Sequence, residues 1–96
     1  MRPSAALTSH RIDVLAAARR YQTTNVRLFG SVLQGNDTDS SDLDILVDRL
    51  PNTTLFDLGG LQVELEQMLG VKVDVLTPLD LPIKFRAEVL ATARLI

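Results

Sequence analysis

Two aspartates, Asp42 and Asp44, are separated by one residue at the start of an apolar segment, SDLDILV at residues 41–47. Residues i and i+2 of a strand project from the same face, so the two carboxylates are expected to point in the same direction. Asp44 interrupts residues 43–47, which otherwise have the composition of a buried strand. A carboxylate is costly to bury there unless a cation pairs with it. The pattern therefore favours a divalent cation as the partner of both carboxylates.

A glycine-serine pair, Gly30-Ser31, lies between an apolar segment that predicts a strand over residues 26–29 and a short predicted helix over residues 31–34. Free backbone N–H groups and the positive end of the dipole make a helix N-terminus an anion site. Glycine also allows a sharp turn and a close approach by a ligand. The pair is therefore a candidate for binding phosphate groups, although taken alone it fits an ordinary strand-to-helix turn better.

Composition narrows the kind of metal and the kind of partner. The chain has no cysteine and one histidine, which excludes a zinc site built from these residues and leaves oxygen ligands for magnesium, manganese or calcium. A net charge of −2 argues against direct binding of nucleic acid. No apolar run approaches the ~18–20 residues of a membrane span, and no secretory leader is visible, so a cytoplasmic protein without membrane contact is expected.

Three other aspartates lie near the pair. Asp37 and Asp39 fall in the polar stretch NDTDSS, which begins like a calcium-binding loop but has no glycine at the sixth position and no glutamate at the twelfth. We interpret both as solvated loop charges. Asp48 is interpreted as a strand-end residue.

Hydrophobic periodicity predicts one domain over residues 1–96. A first helix is expected from a cap at Thr8 or Ser9 to about residue 21. After the short helix at residues 31–34, a third is expected behind the Thr54-x-x-Asp57 capping box. Strands are expected at residues 26–29, 43–47 and 71–76. A last helix opens at residues 81–82, with apolar positions continuing to residue 93 that could cover the sheet and contact a partner. The fold class is α/β (α+β): a small mixed three-stranded sheet flanked by about four helices.

The third predicted strand, VKVDVL at residues 71–76, contains one more acidic residue. Its valines face one way, while Lys72 and Asp74 face the other. From the residues alone, Asp74 fits either a functional carboxylate or an exposed strand residue.

Taken together, Gly30-Ser31, a gap of ten residues, Asp42-x-Asp44 and a later strand aspartate, Asp74, resemble the signature of the DNA-polymerase-beta-like nucleotidyltransferases. In its small size and in the sequence SDLDILV at residues 41–47 the chain is most similar to the minimal nucleotidyltransferase (MNT) antitoxins. The resemblance implies a polymerase-beta-like fold in which Asp42, Asp44 and Asp74 are catalytic and bind Mg²⁺, with two ions expected. It also implies that Gly30 and Ser31 bind the triphosphate of ATP.

The resemblance further implies a partner. MNT antitoxins neutralise HEPN-domain ribonuclease toxins by transferring AMP to a toxin tyrosine, so a hetero-oligomer with such a toxin is expected. Two alternatives remain open, a non-catalytic antitoxin that masks its toxin and a small-molecule nucleotidyltransferase. The family often has a basic residue where this chain has Gln34, and Lys72 or Arg27 could replace its charge.

Overall fold

A four-stranded mixed sheet runs through the computed structural model, which describes residues 1–96. Its strands are Thr23–Phe29 (β1), Leu43–Arg49 (β2), Val73–Leu76 (β3) and Arg94–Leu95 (β4), in the order β3-β2-β1-β4. β1 is antiparallel to β2 and β4, whereas β2 and β3 are parallel. The predicted α/β class and mixed sheet are confirmed.

The expectation of three strands is wrong by one. The last helix (α4, Ile83–Thr92) ends at Ala93, whose backbone is extended with φ −59° and ψ 142°. The next two residues pair with Arg27 and Leu28 at the free edge of β1. A two-residue strand has too little sequence for a period to be recognised, and only its contact with β1 defines it.

The first helix (α1, Pro3–Arg20) starts earlier than predicted, with proline in its first turn. Thr8 and Ser9 do not cap it. They lie beside His10, where the backbone leaves helical geometry with φ −125° and ψ 21°. The sequence signal for a cap therefore coincides with a kink inside the helix.

The helix after β2 (α3, Leu55–Leu69) begins as predicted. Thr54 accepts a hydrogen bond from the backbone N–H of Asp57, and the Asp57 side chain accepts one from the backbone N–H of Thr54. It ends at Gly70 in a left-handed conformation with φ 68°. α1 and α3 cover one face of the sheet, and the core between them and the sheet includes Val14, Ala17, Leu43, Ile45, Val47, Leu61, Leu65 and Val73.

Two short elements complete the chain. The helix α2 (Ser31–Gln34) follows β1 directly, and a 3₁₀ turn at Pro78–Asp80 leads into α4. α4 has no buried residue, so it adds little to the core. No helix combines the length and the apolar character needed to cross a membrane.

Candidate active site

Three aspartates lie at one end of β2 and β3. Asp44 and Asp74 are direct partners in the parallel pairing of these strands, so they occupy the same face of the sheet. Asp42, two residues before Asp44, precedes the strand on the same side. Leu43 and Ile45, with the opposite parity, are fully buried in the core under the helices. Sheet pairing thus brings the three predicted site residues together on the face that α1 and α3 leave uncovered.

The glycine-serine turn lies against Asp42, Asp44 and Asp74, which together are called the acidic group below. Phe29, the last residue of β1, pairs with Asp44, so Gly30 is next to that carboxylate. A Cβ added to Gly30 would lie 2.3 Å from Oδ2 of Asp44. The backbone of Gly30 has φ 77° and ψ −152°, a conformation that side chains exclude almost entirely. Glycine is required here by both the close approach and the backbone, and α2 starts immediately after it at Ser31.

Electrostatics set Asp44 apart from its neighbours. Burial, followed by repulsion from Asp74 and Asp42, raises the pKa of Asp44 from 3.8 to about 6. A single cation is near, because Nζ of Lys72 lies 3.9 Å from Oδ2 of Asp42. That lysine is mostly exposed, so it compensates only part of the acidic charge.

The three carboxylates offer oxygen donors that a metal ion could use. As the side chains stand, no three His, Cys, Asp or Glu residues are close enough to form a closed set of ligands. The donor chemistry nevertheless fits Mg²⁺, because every donor is a hard carboxylate oxygen and the partly buried charge of Asp44 has no full countercharge. Asp42, Asp44 and Asp74 are therefore the residues that would hold such an ion.

Of the two cations that could replace a basic residue at Gln34, only Lys72 lies beside the acidic group. Nη2 of Arg27 donates to Oδ1 of Asp48 at 2.6 Å, and Asn25 also donates to Asp48. This ion pair lies within the β1–β2 pairing and engages Arg27. Asp48 is accordingly a structural residue near the end of β2.

The interpretation of Asp37 as a solvated charge is wrong. Its side chain is 3% exposed and accepts a hydrogen bond from the backbone N–H of Ser4 at 3.0 Å. This hydrogen bond is the largest cause of the lowered pKa of Asp37. Desolvation opposes it by raising the pKa, and the positive charge of Arg2 lowers the pKa further. Asp39, by contrast, is 82% exposed, as predicted. No local pattern could have revealed the difference, because the partners of Asp37 are more than 30 residues away in the chain.

A shallow cleft separates α2 from α4 beside the acidic group. Phe29, Gly30, Leu33 and Gln34 line one side, and Phe85, Glu88, Val89 and Thr92 line the other. It gives access to Gly30 from solvent. The apolar positions of the last helix were expected to cover the sheet and contact a partner, and two of them, Phe85 and Val89, line this cleft.

The strand order, the acidic group and the glycine turn have a counterpart among known proteins. The family model described as "Polymerase beta, Nucleotidyltransferase" matches residues 14–96. The chain belongs to the polymerase beta nucleotidyltransferase family. The matched part contains the glycine-serine turn and all three aspartates of the candidate site.

Two relatives found by sequence similarity are described as candidate protein adenylyltransferases. The chain is 46% identical over 50 residues to a candidate protein adenylyltransferase of Methanocaldococcus jannaschii, a match that covers 52% of this chain and 54% of the relative. A second candidate adenylyltransferase of that organism is 34% identical over 58 residues, with 60% and 59% covered. The match thus spans between half and three fifths of these relatives.

Solved structures agree. One, described as a candidate minimal nucleotidyltransferase, is 36% identical with a TM-score of 0.86 and covers 97% of this chain and 95% of its own. A toxin–antitoxin complex with AMP-PNP contains a chain with the same fold, at 21% identity and a TM-score of 0.73, covering 88% of this chain and 69% of its own. The resemblance to minimal nucleotidyltransferases is confirmed.

Proposed function

We propose that this nucleotidyltransferase is a Mg²⁺-dependent protein adenylyltransferase that moves AMP from ATP to a toxin partner. The observation that carries the proposal is the position of the Asp44 carboxylate. It lies beside Asp74 on one side and against Gly30 on the other. Acidic oxygens and a candidate phosphate-binding turn therefore meet at one point, as transfer of a nucleotidyl group requires.

Each residue has a role in this proposal. The backbone of Gly30 and the N-terminus of α2 at Ser31 bind the triphosphate, because their N–H groups are free to donate to phosphate oxygens. Asp42 and Asp44 hold Mg²⁺, with two ions expected, and Asp74 completes the ligand set or accepts the proton of the attacking hydroxyl. When bound, Mg²⁺ supplies a Lewis acid that neutralises the charge on the phosphates.

The transfer step needs only ATP and the acceptor hydroxyl as reactants. A hydroxyl oxygen of the acceptor forms a bond to the α-phosphorus of ATP, and the bond from that phosphorus to the bridging oxygen of the β-phosphate breaks. Pyrophosphate leaves, and in this proposal Asp74 is the group that accepts the hydroxyl proton. The chain contributes positions and charges and forms no covalent intermediate of its own.

The acceptor in this proposal is a protein. Relatives described as protein adenylyltransferases and a neighbour in a toxin–antitoxin complex support a toxin as the target. Within that class we propose a tyrosine of a HEPN ribonuclease toxin. The two proteins form a hetero-oligomer in the cytoplasm, where ATP is available.

Mass spectrometry of the co-expressed neighbouring gene product tests the proposal. The wild-type chain should add the mass of one or more AMP groups to the partner, on a tyrosine. The Asp42→Ala, Asp44→Ala double variant should add none, because it loses two of the three acidic residues. Asp39→Ala, exposed in the adjoining loop, is the matched control and should behave as wild type. Modification by the double variant would show that the site is elsewhere.

One observation favours the masking alternative. α4 leaves large apolar side chains in solvent beside the cleft, with Ile83 83%, Phe85 49% and Leu90 41% exposed. Such a surface suits contact with another protein. If the double variant neutralises the toxin as well as wild type does, and no AMP is found on the toxin, the chain acts by masking.

A further inference from the structure

Asp37 joins two parts of the chain that are distant in sequence. Its Oδ2 accepts a hydrogen bond from the backbone N–H of Ser4, in the first turn of α1, at 3.0 Å. Nε of Arg2 donates to the backbone carbonyl of Asp37 at 3.0 Å, and Nη2 of Arg2 lies 3.6 Å from Oδ1. The side chain is almost completely buried. The loop between α2 and β2 is therefore attached to the N-terminus of α1 through Asp37, the buried contact, while the exposed Asp39 adds only an ion pair with the Met1 amino group at 4.0 Å.

On each side of Asp37 the backbone makes further short-range hydrogen bonds. The backbone N–H of Asn36 donates to the carbonyl of Ser31, the first residue of α2, at 3.2 Å. On the other side, the N–H of Thr38 donates to the hydroxyl of Ser41 at 2.8 Å, and the N–H of Ser41 returns a bond to the carbonyl of Thr38 at 3.0 Å. Ser41 directly precedes Asp42, so short bonded segments connect Asp37 both to the candidate phosphate site and to the acidic group.

We infer that Asp37 is a positioning residue for nucleotidyl transfer, fixing the N-terminus of α2 relative to Asp42 and Asp44. The inference rests on the proposed function for its activity readout. Asp37 touches neither of the proposed binding groups, so it acts through the loop that joins them. Its anchors, Arg2 and Ser4, lie before residue 14, where the match to the family model begins. The first turn of α1 thus contributes to the site although it lies outside that match.

The test compares two ways of removing a helix cap. Asp37→Ala removes the carboxylate at the N-terminus of α1, and Thr54→Ala removes the hydroxyl that caps α3. Thr54 has no bond to the loop, so its variant controls for the general cost of losing a cap. Both variants are assayed at a temperature where thermal unfolding curves show them fully folded. Asp37→Asn keeps an oxygen that can accept from Ser4 and should fall between wild type and Asp37→Ala.

Two readouts are taken. In AMP transfer, kcat of Asp37→Ala should fall about tenfold or more while KM for ATP changes less than about threefold, because phosphate binding persists but the reacting groups are misplaced. In hydrogen exchange, the amides of residues 34–41 should exchange at least about fivefold faster in Asp37→Ala than in wild type. In Thr54→Ala their exchange rates should equal those of wild type.

The outcomes separate this inference from the proposed function. Equal kcat in Asp37→Ala and Thr54→Ala, or unchanged exchange in the loop, would overturn the positioning role. If the wild-type chain transfers no AMP to any partner, the proposed function fails, and hydrogen exchange alone decides whether Asp37 fixes the loop.

Discussion

Asp44 is the residue at which the fold and the proposed chemistry conflict. Its strand neighbours Leu43 and Ile45 are fully buried, whereas its own carboxylate is repelled by the nearby carboxylates of Asp42 and Asp74. A hydrophobic residue there would stabilise the fold more easily. A position that lowers stability in this way is typical of a functional site.

The raised pKa of Asp44 gives a pH dependence of known sign in the metal-free protein. Between the ordinary value of 3.8 and about 6, the folded chain keeps a proton that the unfolded chain has lost. The free energy of unfolding contributed by this residue therefore falls as pH rises through this window. Because solvent screens a partly exposed group, we expect a loss of about 1–2 kcal/mol by pH 7.

Urea unfolding with EDTA measures this effect by comparing wild type with Asp44→Asn, which cannot ionise. The variant should match wild type near pH 4 and become the more stable of the two by pH 7. The comparison cancels the pH dependence of acidic groups that do not interact with Asp44, including Asp37, whose lowered pKa costs stability as pH falls. A difference that stays constant with pH would contradict the assignment.

Gly30 supplies the second prediction at this scale, with Gly35 as the matched control. Both have φ 77°, but a Cβ on Gly35 meets nothing within 4 Å, and its ψ of 16° is left-handed helical. Gly35→Ala should cost about 1 kcal/mol of unfolding free energy. Gly30→Ala should cost about 3 kcal/mol or more and abolish AMP transfer, because its backbone excludes side chains and its Cβ would displace Asp44. Equal costs in urea unfolding would show that the close approach is unimportant.

Sequence reasoning at the residue scale succeeded where alternation decides direction. The i, i+2 spacing places Asp42 and Asp44 on one side, and a parallel partner strand brings Asp74 to them. It failed at Asp37, because burial of a loop carboxylate depends on a tertiary contact with Ser4 that no period or motif encodes.

At the scale of elements, the strongly patterned segments were predictable and the ends of the chain were not. The capping box of α3 and the apolar run of β2 are local signals, and both elements are present. The start of α1 and the strand β4 depend on partners elsewhere, namely Asp37 for the helix and the edge of β1 for the strand.

The strand β4 can be tested by removing residues 94–96. These residues pair with β1, and the N–H of Ile96 donates to the carbonyl of Val26 at 3.0 Å. Their loss should lower the free energy of unfolding by about 1–3 kcal/mol, since it removes sheet hydrogen bonds and exposes an edge. Ile96→Ala controls for the apolar side chain that packs on the core. If the truncation costs no more than Ile96→Ala in urea unfolding, the strand pairing contributes nothing.

The whole molecule is a sheet with one face covered by α1 and α3 and an opposite face that carries the candidate active site. α1 and α3 bury the apolar side of β2, while the aspartates, Lys72 and the cleft beside α4 lie on the other. The fold class followed from the alternation of helical and strand periods. The strand order did not, because a single sequence shows which strands exist more readily than which ones pair.

This arrangement predicts that ligands which neutralise the acidic group stabilise the entire chain. Mg²⁺ with a non-hydrolysable ATP analogue binds only the folded state, so at a concentration ~100-fold above Kd it should add about 2.7 kcal/mol to the free energy of unfolding. The Asp42→Ala, Asp44→Ala variant should gain little, while Asp39→Ala should respond as wild type does.

Thermal unfolding with and without Mg²⁺ and this analogue is the most direct test that the aspartates and the glycine turn form one nucleotide site. The Tm of wild type and of Asp39→Ala should rise by several degrees with ligand, and the Tm of the double variant should not rise. An equal rise in the double variant, or no rise in wild type at saturating ligand, would contradict this prediction.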